Sequence, residues 1–149
     1  MNSQYPKVAI VGRTNVGKST LFNRLIKEKK SITSPIEGVT RDYLHDVVTY
    51  RNKSFDLIDT GGLPFAKELD VILKGVEETV LSPISSADLI LFVCDGKSGL
   101  TEQDRQISKI LHKSKKDVFL LINKSDSTGA FFEHEHEFLA LGFKNIFHV

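Results

Sequence analysis

Short apolar runs alternate with longer segments in which apolar residues recur at helical spacing. The runs that begin at Val8, Leu89 and Val118 are almost entirely apolar, as expected of strands covered on both faces. These three are predicted to form the centre of a parallel sheet. The predicted strands are Val8–Val11, Asp46–Tyr50, Phe55–Ile58, Leu89–Cys94, Val118–Ile122 and Ile146–His148.

The second and third predicted strands are separated by only a few residues around Asn52 and Lys53. A parallel crossover needs a dozen or more residues, so this pair is predicted to be an antiparallel hairpin at one edge. Helical spacing predicts helices over Lys18–Lys27, Leu69–Leu81, Glu102–His112 and Phe131–Leu141. The whole pattern predicts an α/β fold with a mostly parallel sheet, one antiparallel edge strand and helices on both faces.

The third predicted helix carries the clearest local signals. Ile107, Ile110 and Leu111 form an apolar stripe along it. Thr101 precedes the helix and Asp104 follows three residues later, which predicts an N-cap with an acidic residue in the first turn.

The composition is that of an ordinary globular protein. The chain has 149 residues, 40% of them hydrophobic, which predicts one domain with a real core. A net charge of +1 gives no overall signal for a nucleic-acid or membrane partner. Cys94, in an apolar strand, is predicted to be buried and unreactive. The polar N-terminal residues and the lack of an apolar stretch of roughly 18 residues predict a cytoplasmic location.

A glycine-rich loop gives the first chemical signal. Residues 12–19 read GRTNVGKS, which matches G-x-x-x-x-G-K-[ST] between a predicted strand and a predicted helix. Its glycines let successive N–H groups converge on phosphate oxygens at the positive end of the helix. Lys18 adds a charge at the β- and γ-phosphates, and the Ser19 hydroxyl is suited to Mg²⁺. The predicted phosphate-binding residues are Gly12, Arg13, Thr14, Asn15, Val16, Gly17, Lys18, Ser19 and Thr20.

Residues 59–62 read DTGG and follow the predicted strand that ends at Ile58. A carboxylate there faces the same edge of the sheet as the glycine-rich loop, so Asp59 is predicted to help hold Mg²⁺ through a water molecule. Gly62 has no side chain to keep its N–H from the γ-phosphate. Thr40 lies between the two motifs, in an irregular segment over Lys30–Arg41. We expect it to be a second Mg²⁺ ligand that senses the γ-phosphate.

A third motif, NKSD over residues 123–126, follows another predicted strand and selects the base. Guanine has two adjacent donors, N1–H and the N2 amino group, and the carboxylate of Asp126 can accept a hydrogen bond from each. Adenine has an acceptor at N1, which would repel the carboxylate, so the motif predicts that GTP is bound in preference to ATP. Asn123 has two possible roles, contact with the base edge or a tether between loops. The stem of Lys124 is expected to lie across the ring.

Five stretches together resemble the first G domain of the Der (EngA) family of bacterial ribosome-assembly GTPases. They are residues 11–25 (VGRTNVGKSTLFNRL), 38–42 (GVTRD), 58–62 (IDTGG), 95–101 (DGKSGLT) and 123–126 (NKSD). The Era and MnmE families share the glycine-rich part, but residues 38–42 and 95–101 favour Der. The resemblance implies a P-loop GTPase fold, hydrolysis of GTP to GDP in a molecular switch, and a role in assembly of the large ribosomal subunit.

The resemblance also implies how the γ-phosphate is attacked. Leu63 stands where Ras-like GTPases carry the glutamine that orients water, and an apolar side chain cannot do this. Der-like proteins resemble one another in using K⁺ at the position that an arginine finger would occupy. An asparagine of the glycine-rich loop, here Asn15, is a ligand of that K⁺ together with backbone carbonyls of the first switch. The catalytic residues implied are Lys18, Thr40, Gly62 and Asn15. For Asn15 the alternative is a side-chain hydrogen bond that stabilises the loop.

The chain is expected to be truncated relative to the family, before a Ser-Ala turn that supports the guanine and before the last helix. The ribosome is therefore implied as a partner only through the full-length protein. Two other hypotheses stay open. One is a nucleotide-gated binding module with negligible hydrolysis of its own, which the absence of the glutamine favours. The other is an ATPase or small-molecule kinase.

Overall fold

The computed structural model describes residues 5–13, 16–28, 31–32, 44–59, 86–123 and 130–149. These residues contain seven strands in one sheet, in the order β2-β3-β4-β1-β5-β6-β7. The strands are β1 Lys7–Val11, β2 Ser31–Ile32, β3 Leu44–Tyr50, β4 Lys53–Asp59, β5 Leu89–Asp95, β6 Asp117–Asn123 and β7 Asn145–His148. The helices are α1 Lys18–Glu28, α2 Glu102–Ser114 and α3 Ala130–Leu139. The predicted helix Leu69–Leu81 lies outside the described residues.

The sheet is mostly parallel, as predicted. Strand β1 lies between β4 and β5 and is parallel to both, and β6 and β7 continue the parallel order. Strand β3 is antiparallel to β4, and the turn between them places Arg51 and Asn52 at φ 50° and 66°. Two consecutive positive φ values match the twist that a tight hairpin needs. The structure adds strand β2, which pairs outside β3 and is too short to show a periodic pattern.

Alternate residues of the central strands pack on opposite faces of the sheet. On β1, Val8 and Ile10 join the core under α1, while Ala9 and Val11 join the core under α2. Helix α1 contributes Phe22 to the first core. Helices α2 and α3 contribute Ile107, Ile110, Leu111 and Phe138 to the second. Both faces are therefore covered at the centre, which explains the apolar composition of these strands.

Helix α2 begins with the predicted cap. The Thr101 hydroxyl accepts a hydrogen bond from the Asp104 N–H at 3.2 Å, and the Asp104 carboxylate accepts one from the Thr101 N–H at 2.9 Å. This is a capping box, which satisfies two N–H groups at the helix start. The helix ends at Ser114 and is followed by the C-cap Lys115, which adopts the left-handed conformation at φ 58°. Among the described residues, no helix is long and apolar enough to cross a membrane.

The parallel strands place their carboxyl ends at one edge of the sheet. Strand β1 leads into the glycine-rich loop, β4 ends at Asp59, β5 ends at Asp95 and β6 ends at Asn123. The registers align β1 with β4 and β5, and β5 with β6, residue by residue. Groups that are far apart in the sequence therefore meet at this edge, where open α/β sheets place their ligands.

Candidate functional site

The two glycines of the loop have no room for a side chain. Gly12 has φ +156°, and a Cβ there would stand 2.6 Å from the carbonyl oxygen of Val93 on β5. Gly17 has φ +100°, and a Cβ there would collide with the side-chain amide nitrogen of Asn123. The loop therefore packs directly against the ends of β5 and β6, and only glycine permits this approach at both positions.

Lys18 is held by the backbone of the loop that precedes it. Its Nζ donates hydrogen bonds to the carbonyl oxygens of Gly12 and Arg13, each at 2.6 Å, and the residue is only 6% exposed. Burial lowers the pKa of Lys18 below its usual 10.5, while the negative charge of Asp59 acts in the opposite direction. The amine is thus fixed at the start of α1, with part of its hydration replaced by two carbonyl groups.

Ser19 and Asp59 meet across the sheet edge. The Ser19 hydroxyl donates a hydrogen bond to the Asp59 carboxylate at 3.2 Å. Asp59 is buried at the end of β4, and Ser19 is exposed in the first turn of α1. A hydroxyl and a carboxylate are oxygen ligands of the kind that Mg²⁺ takes in nucleotide sites. The donor set that the structure brings together here therefore fits this ion.

Asn123 ties the end of β6 to the loop. Its Nδ2 donates a hydrogen bond to the carbonyl oxygen of Val16 at 2.9 Å. The backbone carbonyl oxygen of Asn123 accepts a hydrogen bond from the backbone N–H of Gly96 at 2.7 Å. Of the two roles that the sequence left open for Asn123, the structure contains the tether. Contact with a base edge stays a prediction.

The side chain of Arg13 makes contacts that the sequence did not predict. Its Nε donates to the Asp104 carboxylate at 3.3 Å, and its Nη2 donates to the Ser98 hydroxyl at 3.0 Å. The Asp95 carboxylate accepts hydrogen bonds from the N–H groups of Lys97 and Ser98, which shapes the turn that carries Ser98. The sequence singled out Asp104 only through the Thr101-x-x-Asp104 pattern. That pattern predicts a helix cap and does not predict a contact with Arg13 of the glycine-rich loop.

The structure brings together, at one edge of the sheet, the predicted residues Gly12, Arg13, Val16, Gly17, Lys18, Ser19, Asp59 and Asn123. Val16 is fully buried and Thr20 is exposed on the first turn of α1. Six predicted site residues lie outside the described part of the chain: Thr14, Asn15, Thr40, Gly62, Lys124 and Asp126. Their roles in binding Mg²⁺, K⁺, the γ-phosphate and guanine stay predictions.

Cys94 lies beside this network at the end of β5. It is fully buried, as predicted. Burial, and next the negative charge of Asp104, raise the pKa of the Cys94 thiol well above its ordinary value. The thiol therefore stays protonated, which agrees with an unreactive side chain in the core.

The chain is similar to a family of known proteins and to individual members of it. The family described as "50S ribosome-binding GTPase" matches residues 7–124. GTPase Der of Thermosipho melanesiensis is 48% identical over 136 residues, which are 91% of this chain and 31% of that protein. GTPase Der of Finegoldia magna is 44% identical over 144 residues, which are 97% of this chain and 32% of that protein. The chain thus spans about a third of the length of these relatives.

The chain is also similar to solved structures. A variant of Aquifex aeolicus Era bound to GDP·AlF4⁻ matches with a TM-score of 0.69 and 32% identity, over 96% of this chain and 50% of that chain. Era in complex with MgGDPNP and a segment of 16S ribosomal RNA matches with a TM-score of 0.70 and 32% identity, over 97% and 50% of the two chains. The G domain of the T. maritima iron transporter FeoB matches with a TM-score of 0.61 and 28% identity, over 95% and 86%.

Proposed function

Because this chain belongs to the family of 50S ribosome-binding GTPases, we propose that it binds GTP and hydrolyses it to GDP and phosphate. The resemblance to Der that the motifs indicated is confirmed by relatives that are 44% to 51% identical over most of the chain. The observation that supports the activity best is the meeting of Lys18, Ser19 and Asp59 at the sheet edge. We take the whole chain as one GTP-binding domain.

The phosphates are proposed to bind over the loop and the first turn of α1. Gly12 and Gly17 keep the backbone free of side chains there, and the N–H groups at the helix start attract an anion. The Lys18 amine, already largely desolvated, supplies a positive charge to the β- and γ-phosphates. Because the site is preorganised, little rearrangement opposes the stabilisation of charge that develops during phosphoryl transfer.

Mg²⁺ is proposed to bind at Ser19 and Asp59, with Thr40 as a further ligand. The ion would neutralise charge on the β- and γ-phosphates. The hydroxyl and carboxylate oxygens at 3.2 Å from each other support the assignment, and the solved Era complex named above contains MgGDPNP. Asp59 stays in place because it is buried at the end of β4.

K⁺ is proposed to occupy the position that an arginine finger takes in other GTPases, with Asn15 among its ligands. The support is chemical. Leu63 follows Gly62 and cannot orient water, so some other group must assist the reaction. A monovalent cation at the phosphates would neutralise the charge that develops there, as an arginine finger does. In this proposal water attacks the γ-phosphate while Lys18 and the N–H of Gly62 contact its oxygens.

Guanine is proposed to be read by Asp126, with Lys124 against the ring. The support is the position of Asn123, which precedes both residues and is tethered to the loop through Val16. The tether keeps the start of the NKSD motif beside the phosphate site. A single nucleotide can therefore contact the motif with its base and the glycine-rich loop with its phosphates.

The macromolecular partner is proposed to be the large ribosomal subunit, through the longer protein that the relatives represent. A cytoplasmic location, where ribosomes assemble, is part of this proposal. The printed description of the family and the name Der support it. Co-sedimentation of the protein with 50S particles should be stronger with a non-hydrolysable GTP analogue than with GDP, and equal binding would count against a nucleotide switch.

The decisive experiment is single-turnover hydrolysis of GTP by this chain, in K⁺ and in Na⁺ at equal ionic strength. We expect faster turnover in K⁺ and loss of most of the activity in Lys18→Met. Equal rates in the two salts would overturn the role of K⁺ without touching GTP binding. Tight GTP binding with no turnover in either salt would favour the alternative, a binding module gated by nucleotide.

The choice of base is tested separately. ATP should not compete with GTP for the wild-type protein. Asp126→Asn should shift preference from guanine to xanthine nucleotides, because xanthine offers an acceptor where guanine offers a donor. If ATP competes and the substitution leaves preference unchanged, the chain is an ATPase or a kinase of a different specificity.

A further inference from the structure

We propose that the ion pair between the partly exposed Arg13 and the buried Asp104 is a positioning device: it fixes the backbone of Arg13 so that the Lys18 amine lies where the phosphates bind. The inference rests on the proposed function, because it assigns a role within the same site. Neither residue is proposed to touch the nucleotide with its side chain.

Asp104 does more than its cap requires. Its Oδ2 accepts hydrogen bonds from the Thr101 N–H at 2.9 Å, from the Thr101 hydroxyl at 3.1 Å and from Arg13 Nε at 3.3 Å. The residue is 0% exposed. A neutral side chain with the same shape would serve the cap, whereas a buried carboxylate is costly unless a cation accompanies it. The negative charge is therefore stabilised both by the start of helix α2, where a carboxylate is favourable, and by the guanidinium of Arg13.

Arg13 is anchored at both of its ends. Its guanidinium contacts Asp104 and Ser98, two residues of the segment that follows β5. Its backbone carbonyl oxygen accepts one of the two hydrogen bonds that hold the Lys18 amine, at 2.6 Å. A fixed guanidinium restricts the backbone rotation of Arg13. It therefore also restricts the direction of the Arg13 carbonyl group, to which the Lys18 amine donates a hydrogen bond. The chain of contacts runs from helix α2 to the phosphate-binding amine without a gap.

The geometry also explains why this residue is arginine. Two of its nitrogens donate at once, Nε to Asp104 and Nη2 to Ser98. A lysine carries the same charge but presents it as a single point, and it cannot hold two acceptors in a fixed fork. The turn that carries Ser98 is itself shaped by hydrogen bonds to the Asp95 carboxylate. One acceptor therefore lies in the β5–α2 connection and the other in the first turn of α2.

A purely structural ion pair would predict something different. Its loss would lower the free energy of unfolding and reduce binding of every nucleotide in proportion to the unfolded fraction. A positioning role predicts a loss that depends on the phosphates. GDP carries the β-phosphate that Lys18 contacts, whereas GMP does not, so the ratio of their affinities separates the two explanations.

The experiment measures GDP and GMP affinity by displacement of a fluorescent GDP analogue from Arg13→Gln, Asp104→Asn and the double variant, with thermal unfolding of each. Asp104→Asn keeps an acceptor for the Thr101 N–H, so the cap survives. We expect each single variant to lose about 10-fold in GDP affinity and less than about twofold in GMP affinity. The double variant should lose little more than either single one. Arg13→Lys should fall between wild type and Arg13→Gln.

Two controls remove equivalent charges nearby. Glu102→Gln removes a carboxylate from the same turn of α2, and Arg105→Gln removes a guanidinium from the next turn; both residues are exposed. Neither should change the ratio of GDP to GMP affinity. Additive losses in the double variant, or equal losses for GDP and GMP, would overturn the positioning role. A wild-type chain that binds no guanine nucleotide would overturn the proposed function itself.

Discussion

Helices α1 and α2 begin at the same edge of the sheet, one after β1 and the other after β5, yet their first turns are built in opposite ways. The first turn of α2 contains Glu102 and Asp104, and its start is closed by the capping box with Thr101. The first turn of α1 contains no acidic residue and consists of Lys18, Ser19 and Thr20. The first turn of α2 thus carries its own carboxylates, whereas the first turn of α1 carries none and has only Asp59 of β4 beside it.

The difference predicts which helix can bind an anion. N–H groups at a helix start favour negative charge, and in α2 the side chains of the helix supply it. In α1 a phosphate would supply it, because the residues there are a cation and two hydroxyls. The two starts are joined through Arg13, which follows β1 and contacts Asp104 of α2. The closed helix thus serves as the support for the open one.

The largest expected effect comes from Gly17→Ala, because the added methyl group would prevent the close contact between the residue before α1 and Asn123 at the end of β6. An alanine at φ +100° is strained, and its Cβ would displace the Asn123 amide that is tethered to Val16. We expect a loss of about 100-fold in GTP affinity. Gly142→Ala is the matched control, since Gly142 also has a positive φ of +83° but its nearest neighbours lie 3.8 Å away. It should cost about 1–2 kcal/mol of stability and leave GTP affinity intact. Nucleotide titration and thermal unfolding of both variants check this.

The next effect comes from making the start of α1 resemble that of α2. Thr20 occupies the third position of α1, as Asp104 does in α2. Thr20→Asp should reduce GTP affinity by about 10-fold, because the new carboxylate competes with the phosphates for the helix end. Thr20→Asn has the same shape without the charge. If the Asp and Asn variants bind GTP equally well, the contrast between the two helix starts has no role in affinity.

Removal of the cap from α2 should have a smaller effect, on stability. Thr101→Ala deletes the hydroxyl that accepts from the Asp104 N–H at 3.2 Å. We expect a loss of about 1 kcal/mol in the free energy of unfolding, which corresponds to roughly 2–4 °C in Tm. Thr101→Ser keeps the hydroxyl and should retain most of the stability. Denaturant unfolding measures both, and equal losses would mean that the methyl group matters more than the cap.

The smallest expected effect is a dependence of stability on pH that originates at Lys18. Burial lowers the pKa of Lys18 in the folded state below 10.5, so the unfolded state holds its proton more tightly. Below the lowered pKa the amine is charged in both states, and its burial reduces the free energy of unfolding by the full amount. As pH rises from that pKa toward 10.5, the folded state loses the proton first and the reduction disappears. The free energy of unfolding of wild type relative to Lys18→Met should therefore rise over this interval. A flat difference in denaturant titrations would contradict the burial of a charged amine.

Much of the fold could be predicted because its signals are local. The apolar composition of β1, β5 and β6 identified three adjacent strands inside the sheet, although the middle of the described sheet is β4-β1-β5. The short link after Tyr50 identified the antiparallel hairpin. The cap of α2 could be seen in four consecutive residues. Strand β2 could not be predicted, since two residues have no period and pair only because β3 lies beside them.

The candidate site was predictable in its parts and not in its connections. The glycine-rich loop, Asp59 and Asn123 each follow a strand, and the order of the strands predicted that they meet. The tether from Asn123 to Val16 spans 107 positions, and the ion pair from Arg13 to Asp104 spans 91. No short pattern contains both members of such a pair.

The sequence by itself determined the kind of chemistry at this site, because the loop spacing, the carboxylate at a strand end and the NKSD motif are properties of consecutive residues. Only the tertiary structure decided what supports the Lys18 amine. The guanidinium of Arg13 points away from the amine toward helix α2, and its carbonyl group points to the amine. The physical reason is that the buried carboxylate of Asp104 needs a positive partner, and the order of the strands brings Arg13 within reach of it.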